Sequence, residues 1–251
     1  MNERSARRLG RLTEALARGG TLRLSEAARL CGVSEMTIRR DLSAGDGGLT
    51  LIGGHLVRAD DPRYAPLYDL ATQQDRQAEA KQRLCEVAAR HIEDGDTLFV
   101  DCGTTLMPLV SGLDQERSLT VVTYALNVAN ALSRLPGVRL VLLGGVYHPS
   151  SQTFASDDIV ARLSRLGINK AFITAAGVHA KKGVSCFHFH EVAPKQAAIA
   201  CATQRLLVAD DSKAGIIRPA YFATLDDFDV VITGPESGLE TTAGRPQIIV
   251  A

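Results

Sequence analysis

Seven apolar runs punctuate the C-terminal two-thirds of this 251-residue chain: TLFV at 97–100, LTVV at 119–122, LVLL at 140–143, AFIT at 171–174, LLVA at 206–209, VVIT at 230–233 and QIIV at 247–250. A strand with one wet face alternates apolar and polar residues. These runs are continuous, so both faces must be covered. Helical stretches separate most of them, and strands of that kind alternating with helices predict an α/β unit built on a mainly parallel sheet. No run approaches the length needed to cross a bilayer.

The N-terminal part has a different period. Residues 3–18 predict a helix with Ala6, Leu9, Leu12 and Leu16 on its apolar side and arginines over the rest. Leu22 to Leu42, LRLSEAARLCGVSEMTIRRDL, reads as two short amphipathic runs. Ser25 is the N-cap candidate of the first, Gly32 breaks it, and Ser34 caps the second beside Glu35. In the second run Met36 is apolar and Ile38 and Leu42 share a face, which leaves Thr37, Arg39, Arg40 and Asp41 to point elsewhere. That is the pattern of a helix-turn-helix. It would present Ser34, Glu35 and Thr37 to base edges and Arg39 and Arg40 to phosphates or guanines. The same spacing also fits an αα-hairpin inside an ordinary helical core. Leu49–Ile52 and His55–Val57 flank Gly53-Gly54 and predict a hairpin, which would make the unit a winged helix. A Pro-containing stretch at 59–71 reads as a linker, and a helix is expected over 72–92. The expected domains are therefore 1–58 and 72–251.

Net charge is zero, with 28 basic and 28 acidic residues, but the zero hides an asymmetry. Residues 1–58 carry 10 Arg against 6 acids, and the remainder carries 18 basic residues against 22 acidic ones. A basic head on an acidic body suits a DNA-binding module joined to one with another task. The five cysteines are scattered, with no C-x-x-C pair, and MNERSARRLG has no apolar h-region. A cytoplasmic protein without disulfides, metal or resident cofactor is expected.

Ligands of open parallel sheets bind beyond the carboxyl ends of the strands, and polar clusters fall at five of those ends. The first is Asp101, Gly103, Thr104 and Thr105, where a glycine and two hydroxyls before a helix suit a phosphate; a bare helix cap is the alternative. Asn127 lies past the second run, and Gly144 and Gly145 follow the third. Gly177, His179, Lys182, Gly183, Glu191 and Lys195 follow the fourth. Glu191 and Lys195 are four apart, which also fits a surface ion pair. Asp210, Ser212 and Lys213 close the series. Together they suit a phosphorylated sugar.

The strings LSEAARLCG and VSEMTIRRDL closely resemble the DNA-binding segment of DeoR-family bacterial transcription regulators. DCGTT, AAGVH, KG followed by Cys186-Phe187, and DxSKxGxxRPA ending in Arg218-Pro219-Ala220 extend the resemblance over essentially the whole chain. It implies a sensor domain similar in fold to ribose-phosphate isomerases and a repressor of a nucleoside or deoxyribose catabolic operon, released from DNA by deoxyribose 5-phosphate. Many members have Gly-Ile-Asp where this chain has Gly177-Val178-His179, and His179 sides with the deoxyribose branch. Ala214 stands where Phe is common. Operator DNA, a phosphorylated sugar and further copies of the chain are the expected partners, with no membrane. A sugar-phosphate isomerase or lyase with an appended head, using Glu191 as base and Lys182 or Lys195 as stabiliser or Schiff-base amine, is the alternative; His179 in place of an acid argues against it.

Overall fold

The computed structural model describes residues 3–19, 21–44, 49–52, 55–58, 77–114, 116–240 and 246–251. The chain divides into two units, Met1–Tyr68 and Asp69–Ala251. The expected linker at 59–71, the Gly53-Gly54 turn and the start of the expected 72–92 helix lie outside the described residues.

In the first unit α1 (Glu3–Gly19), α2 (Leu24–Cys31) and α3 (Glu35–Ala44) meet a small antiparallel sheet. β2 (Leu49–Ile52) pairs with β3 (His55–Arg58) as expected, and a further two-residue strand, β1 (Leu22–Arg23), adds to the far side of β3 with Leu22 opposite Leu56. Leu12, Leu16, Leu24, Ala27, Ala28, Ile38, Leu49 and Leu56 form the core. The α2 start differs from the sequence reading. The helix begins at Leu24, and Glu26 reaches back to accept the Arg23 N–H at 2.8 Å, so Ser25 lies inside the first turn and does not cap it. Gly32, at φ 64°, closes α2 with Gly32 N–H to Arg29 O and Val33 N–H to Ala28 O, the paired bonds of a Schellman motif. Ala6, expected on the apolar side of α1, is exposed.

The second unit holds all seven expected strands in one parallel sheet. β4 (Thr97–Val100), β5 (Leu119–Thr123) and β6 (Val138–Leu142) run outward on one side. β9 (Lys170–Thr174), β12 (Gln204–Ala209), β14 (Val230–Thr233) and β15 (Gln247–Val250) run outward on the other. The order is β15-β14-β12-β9-β4-β5-β6, so the chain reverses direction across the sheet between β4 and β9. Helices α4 (Ala78–Ala89), α5 (Met107–Ser111), α6 (Leu126–Leu132), α7 (Ile159–Leu163) and α8 (Val192–Cys201) accompany the strands. Leu84 and Ala88 of α4 join the core as expected, with Ile92 just beyond the helix end; Cys85 is buried too, and Val87 is only partly covered.

Short strands that the sequence did not suggest decorate the carboxyl edge. β7 (Val146–His148) and β8 (Thr153–Ala155) form a hairpin that folds back over the end of β5, through Leu126 N–H to Gln152 O at 2.7 Å and Phe154 N–H to Tyr124 O at 2.9 Å. β10 (Gly177–His179), β11 (Gly183–Cys186) and β13 (Ala220–Ala223) make a second antiparallel sheet.

A candidate DNA-reading helix and a buried charge cluster

On α3 the inner and outer faces are set by one buried carboxylate. Asp41, expected to point outward, is 4% exposed. Its oxygens accept from Arg8 Nε at 2.6 Å, Arg8 Nη2 at 2.9 Å and Ser5 Oγ at 2.9 Å. The Arg8 hydrogen bonds hold the Asp41 carboxyl below its ordinary pKa, and Asp41 raises that of Arg8 in return. This fork, with Ile38 beside it, fastens α3 to α1 and fixes its rotation. Ser34 caps the helix, its Oγ accepting the Thr37 N–H at 3.2 Å. Ser34, Glu35, Arg39 and Arg40 are exposed along this helix, and Thr37 is half-buried. Met36, read as an apolar contributor, is 74% exposed on this same helix.

In the second unit the five strand-end clusters lie at the ends of adjacent strands, β12-β9-β4-β5-β6. Five strands span roughly 19 Å at about 4.8 Å each, wider than one sugar phosphate. The centre of the series is the reversal point between β4 and β9, where open sheets hold ligands.

Asp101, at the end of β4, is fully buried there. It accepts the Thr174 N–H at 2.8 Å and Thr174 Oγ1 at 3.2 Å, and the Tyr124 hydroxyl lies 2.9 Å from its other oxygen. Lys195 of α8, 1% exposed, pairs with it and donates to Thr174 O at 3.2 Å, its ammonium 5.1 Å above the Phe222 ring. The expected alternative of a surface Glu191–Lys195 pair is therefore corrected: both are buried, and the partner of Lys195 is Asp101. Burial alone would lower the Lys195 pKa, yet the Asp101 carboxylate beside it holds it above its ordinary value.

Glu191, 5% exposed, ends the short 3-10 turn Phe189–Glu191. Burial pushes its carboxyl up to about 7, against the pull of Lys195 and of hydrogen bonds from the Cys102 and Cys186 thiols. Burial also raises both thiols, which remain neutral donors. Since the folded value lies above the ordinary 4.5, the stability Glu191 contributes is complete below pH 4.5 and is lost as pH rises through about 7. Glu191→Gln is expected to flatten that slope. Relative to the wild type it should gain on the order of 3 kcal/mol in going from pH 4.5 to pH 8, at 1.36 kcal/mol per unit. Urea unfolding at pH 4.5, 6 and 8 reads this directly; parallel curves for the two proteins would show that Glu191 ionises normally.

The Asp101–Thr105 loop leads into α5, whose N-cap is Leu106 and not either threonine. Asn127 Nδ2 donates to Gly103 O at 3.0 Å, and its buried Oδ1 has no partner among the described residues. Lys81, absent from the sequence reading, is 5% exposed and donates to Thr104 Oγ1 at 2.8 Å. Its signal was present, because Lys81, Leu84, Cys85 and Ala88 recur at helical spacing and put a cation on the buried stripe of α4.

Several expected ligand residues have an internal task. A Cβ on Gly145 would come 2.2 Å from Ala155 O, and one on Gly183, at φ 96°, would come 2.5 Å from Ala223 O. These glycines, and Gly177 against Ile216 O, let backbone meet backbone, whereas Gly144 has open space. His179 Nδ1 accepts the N–H groups of Lys181 and Lys182 at 3.1 Å each, which shapes the β10–β11 turn and leaves the Lys182 side chain exposed. Asp210 caps the turn Asp211–Lys213 through the Ser212 N–H at 3.0 Å, and its second oxygen is buried without a partner. One feature had no counterpart in the sequence reading. His148 stacks on His190 at 3.7 Å, His188 follows at 5.1 Å and Phe187 at 6.4 Å, and the guanidinium of Arg218 sits 4.6 Å above Phe187. Burial lowers the pKa of His188, and that of His190 to about 4.

Comparison with known proteins decides what carries these two sites. The DeoR-like helix-turn-helix domain matches residues 8–48, and the DeoR C terminal sensor domain matches residues 76–235. The chain belongs to the DeoR family. Relatives of this DeoR-family chain include the deoxyribose operon repressor of Escherichia coli strain K12, 41% identical over 93% of this chain and 92% of the repressor. The HTH-type transcriptional regulator IolR of Bacillus subtilis is 28% identical over 90% of each. These relatives are named as regulators, and the chain is a DNA-binding regulator of that family. Among solved structures, eIF2B beta of Chaetomium thermophilum matches at a TM-score of 0.47 with 17% identity, over 61% of this chain and 48% of that one. Ribose 5-phosphate isomerase A of Methanocaldococcus jannaschii matches at 0.40 with 13% identity, over 54% of each. No described helix is long and apolar enough to cross a membrane.

Proposed function

We propose that this DeoR-family regulator represses an operon for deoxyribose or nucleoside catabolism and leaves its operator when a phosphorylated sugar binds the sensor unit. Deoxyribose 5-phosphate is the effector that fits best. The observation that carries the reading is the 41% identity to a deoxyribose operon repressor across both units, DNA-reading head and sensor alike. On this reading Ser34, Glu35, Thr37, Arg39 and Arg40 face DNA. The effector lies at the β4–β9 reversal point, over Asp101, Gly103, Thr104, Thr105, Asn127, Glu191 and Lys195. Gly144, Gly145, Gly177, His179, Lys182, Gly183, Asp210, Ser212 and Lys213 form its surroundings. The protein acts in the cytoplasm as a homo-oligomer, because helix-turn-helix readers pair half-sites by protein symmetry.

Release requires that the effector bind the DNA-incompetent arrangement better than the competent one; equal affinity for both would shift nothing. The test is a duplex enriched from random-sequence DNA by the protein itself, then titrated at fixed salt with deoxyribose 5-phosphate, ribose 5-phosphate and free deoxyribose. Deoxyribose 5-phosphate should displace the protein and free deoxyribose should not. At a hundredfold excess over Kd the bound sugar phosphate should also stabilise the protein by about 2.7 kcal/mol. A protein that holds its duplex unchanged at every sugar phosphate concentration would rule the reading out.

A further inference from the structure

Arg218 ends the DxSKxGxxRPA frame, just before β13, and nothing above gives it a task. It is half-buried. Its backbone N–H donates to Ser185 Oγ at 2.9 Å, and Ser185, itself fully buried, lies 3.3 Å from Gly177 O, so the loop is pinned to the small sheet. The guanidinium is held on two sides. Its carbon sits 4.6 Å above the Phe187 ring, and Nε donates to Ala176 O at 3.4 Å. Among the described residues no partner is found for Nη1 or Nη2, and no carboxylate pairs with the side chain.

The contrast with other cations is sharp. Arg8 faces Asp41, Lys170 faces Asp96, Lys195 faces Asp101 and Arg205 faces Asp229. The Arg218 guanidinium is half-buried, stacked on Phe187 and tied through Nε, and among the described residues no carboxylate faces it, so its Nη fork is held in place and open to an incoming anion. Its place is consistent with that. Ala176 follows β9, two residues after Thr174, which hydrogen-bonds Asp101. Phe187 opens the segment that ends in Glu191, so Arg218 stands beside the reversal point.

We propose that Arg218 is an anion-gripping residue of the sensor, and that its free Nη fork takes two oxygens of a phosphate group in the bidentate geometry that guanidinium favours. The ring and the Ala176 carbonyl set the plane of the fork before ligand arrives. Recognition would then discriminate against an unphosphorylated sugar, which leaves the cation unpaired. This rests on the sugar-phosphate reading above, and inorganic phosphate separates the two.

The test uses the full-length protein, Arg218→Met (which keeps an apolar stem over Phe187) and Arg218→Lys, followed by calorimetry and thermal unfolding. Arg218→Met should bind deoxyribose 5-phosphate roughly 10- to 100-fold more weakly than wild type, the range for losing charge-assisted hydrogen bonds. Arg218→Lys should fall between, because it restores charge without the fork. Without ligand, Arg218→Met should melt no lower than wild type, since it removes an unpaired charge. A guanidinium that only braces the loop predicts the reverse pattern: lowered melting with affinity intact. Millimolar inorganic phosphate should raise the melting temperature of wild type and not of Arg218→Met. If wild type binds no sugar phosphate but retains that difference, the effector assignment fails and the anion site stands. Equal affinity of wild type and Arg218→Met for deoxyribose 5-phosphate overturns the proposal.

Discussion

Lys195→Met is expected to destabilise the sensor unit by about 3–5 kcal/mol, the cost of leaving a buried charge without its partner. Asp101 cannot reach water from the end of β4, because it is fully buried under Tyr124 and Thr174. Methionine matches the lysine stem and keeps contact with Phe222, so the loss is electrostatic and no cavity is opened. Domains are stable by only about 5–15 kcal/mol in total, so the variant should unfold at markedly lower urea. Adding Asp101→Asn to Lys195→Met should return much of the loss, since a neutral amide can still receive the Thr174 N–H. A Lys195→Met loss under about 1 kcal/mol would mean that the cluster is hydrated and that the pair is not what joins α8 to β4.

The Arg39→Ala, Arg40→Ala double variant should lose operator affinity by roughly two to four orders of magnitude, on the basis of about 1–3 kcal/mol for each base- or phosphate-reading arginine. Both side chains are exposed on α3, whereas Ile38 and Asp41, which fasten the helix to α1, are buried. Loss of affinity should come with a shallower salt dependence if either contacts phosphate, by roughly 0.9 in log–log slope per contact removed. Anisotropy titrations at several salt concentrations give both numbers. Retained affinity with an unchanged slope would move the DNA contact off this helix.

The seven long strands were legible because burial on both faces leaves a continuous apolar run, a signal that needs no knowledge of neighbours. The helix-turn-helix was legible because the Ser34 cap, Gly32 and the Ile38–Leu42 spacing are local, although Ser25, read as the cap of α2, lies one residue inside it. What stayed hidden was decided at a distance. Asp41 reads as a surface acid until Arg8, 33 residues earlier, is known to fork onto it. The spacing of Glu191 and Lys195 suggested the nearer partner, while the carboxylate that Lys195 pairs with is 94 residues away. The glycines at strand ends were read as room for a ligand. At Gly145, Gly177 and Gly183 the room is taken by backbone from β8, the Ile216 loop and β13, in a close approach that no local pattern records. Strands of three residues, such as β7, β8 and β10, are too short for alternation to show. The DxSKxGxxRPA frame drew attention to Arg218, but only the stack on Phe187 shows that the side chain is held and unspent.

The reversal of strand order has a consequence for how the sensor comes into being. β4, β5 and β6 follow one another in sequence, and β9, β12, β14 and β15 follow in chain order with only the strands of the small sheet between them, so each group can zip up outward in order. The β4–β9 seam joins Leu98 to Lys170 and Val100 to Phe172 and closes a long loop, the kind of pairing that forms late because its entropy cost comes before its contacts. Asp101 belongs to the first group, and Thr174 and Lys195 to the second. The buried Asp101–Thr174–Lys195 cluster is thus a product of the last join, and a growing chain on the ribosome cannot form it until α8 has emerged.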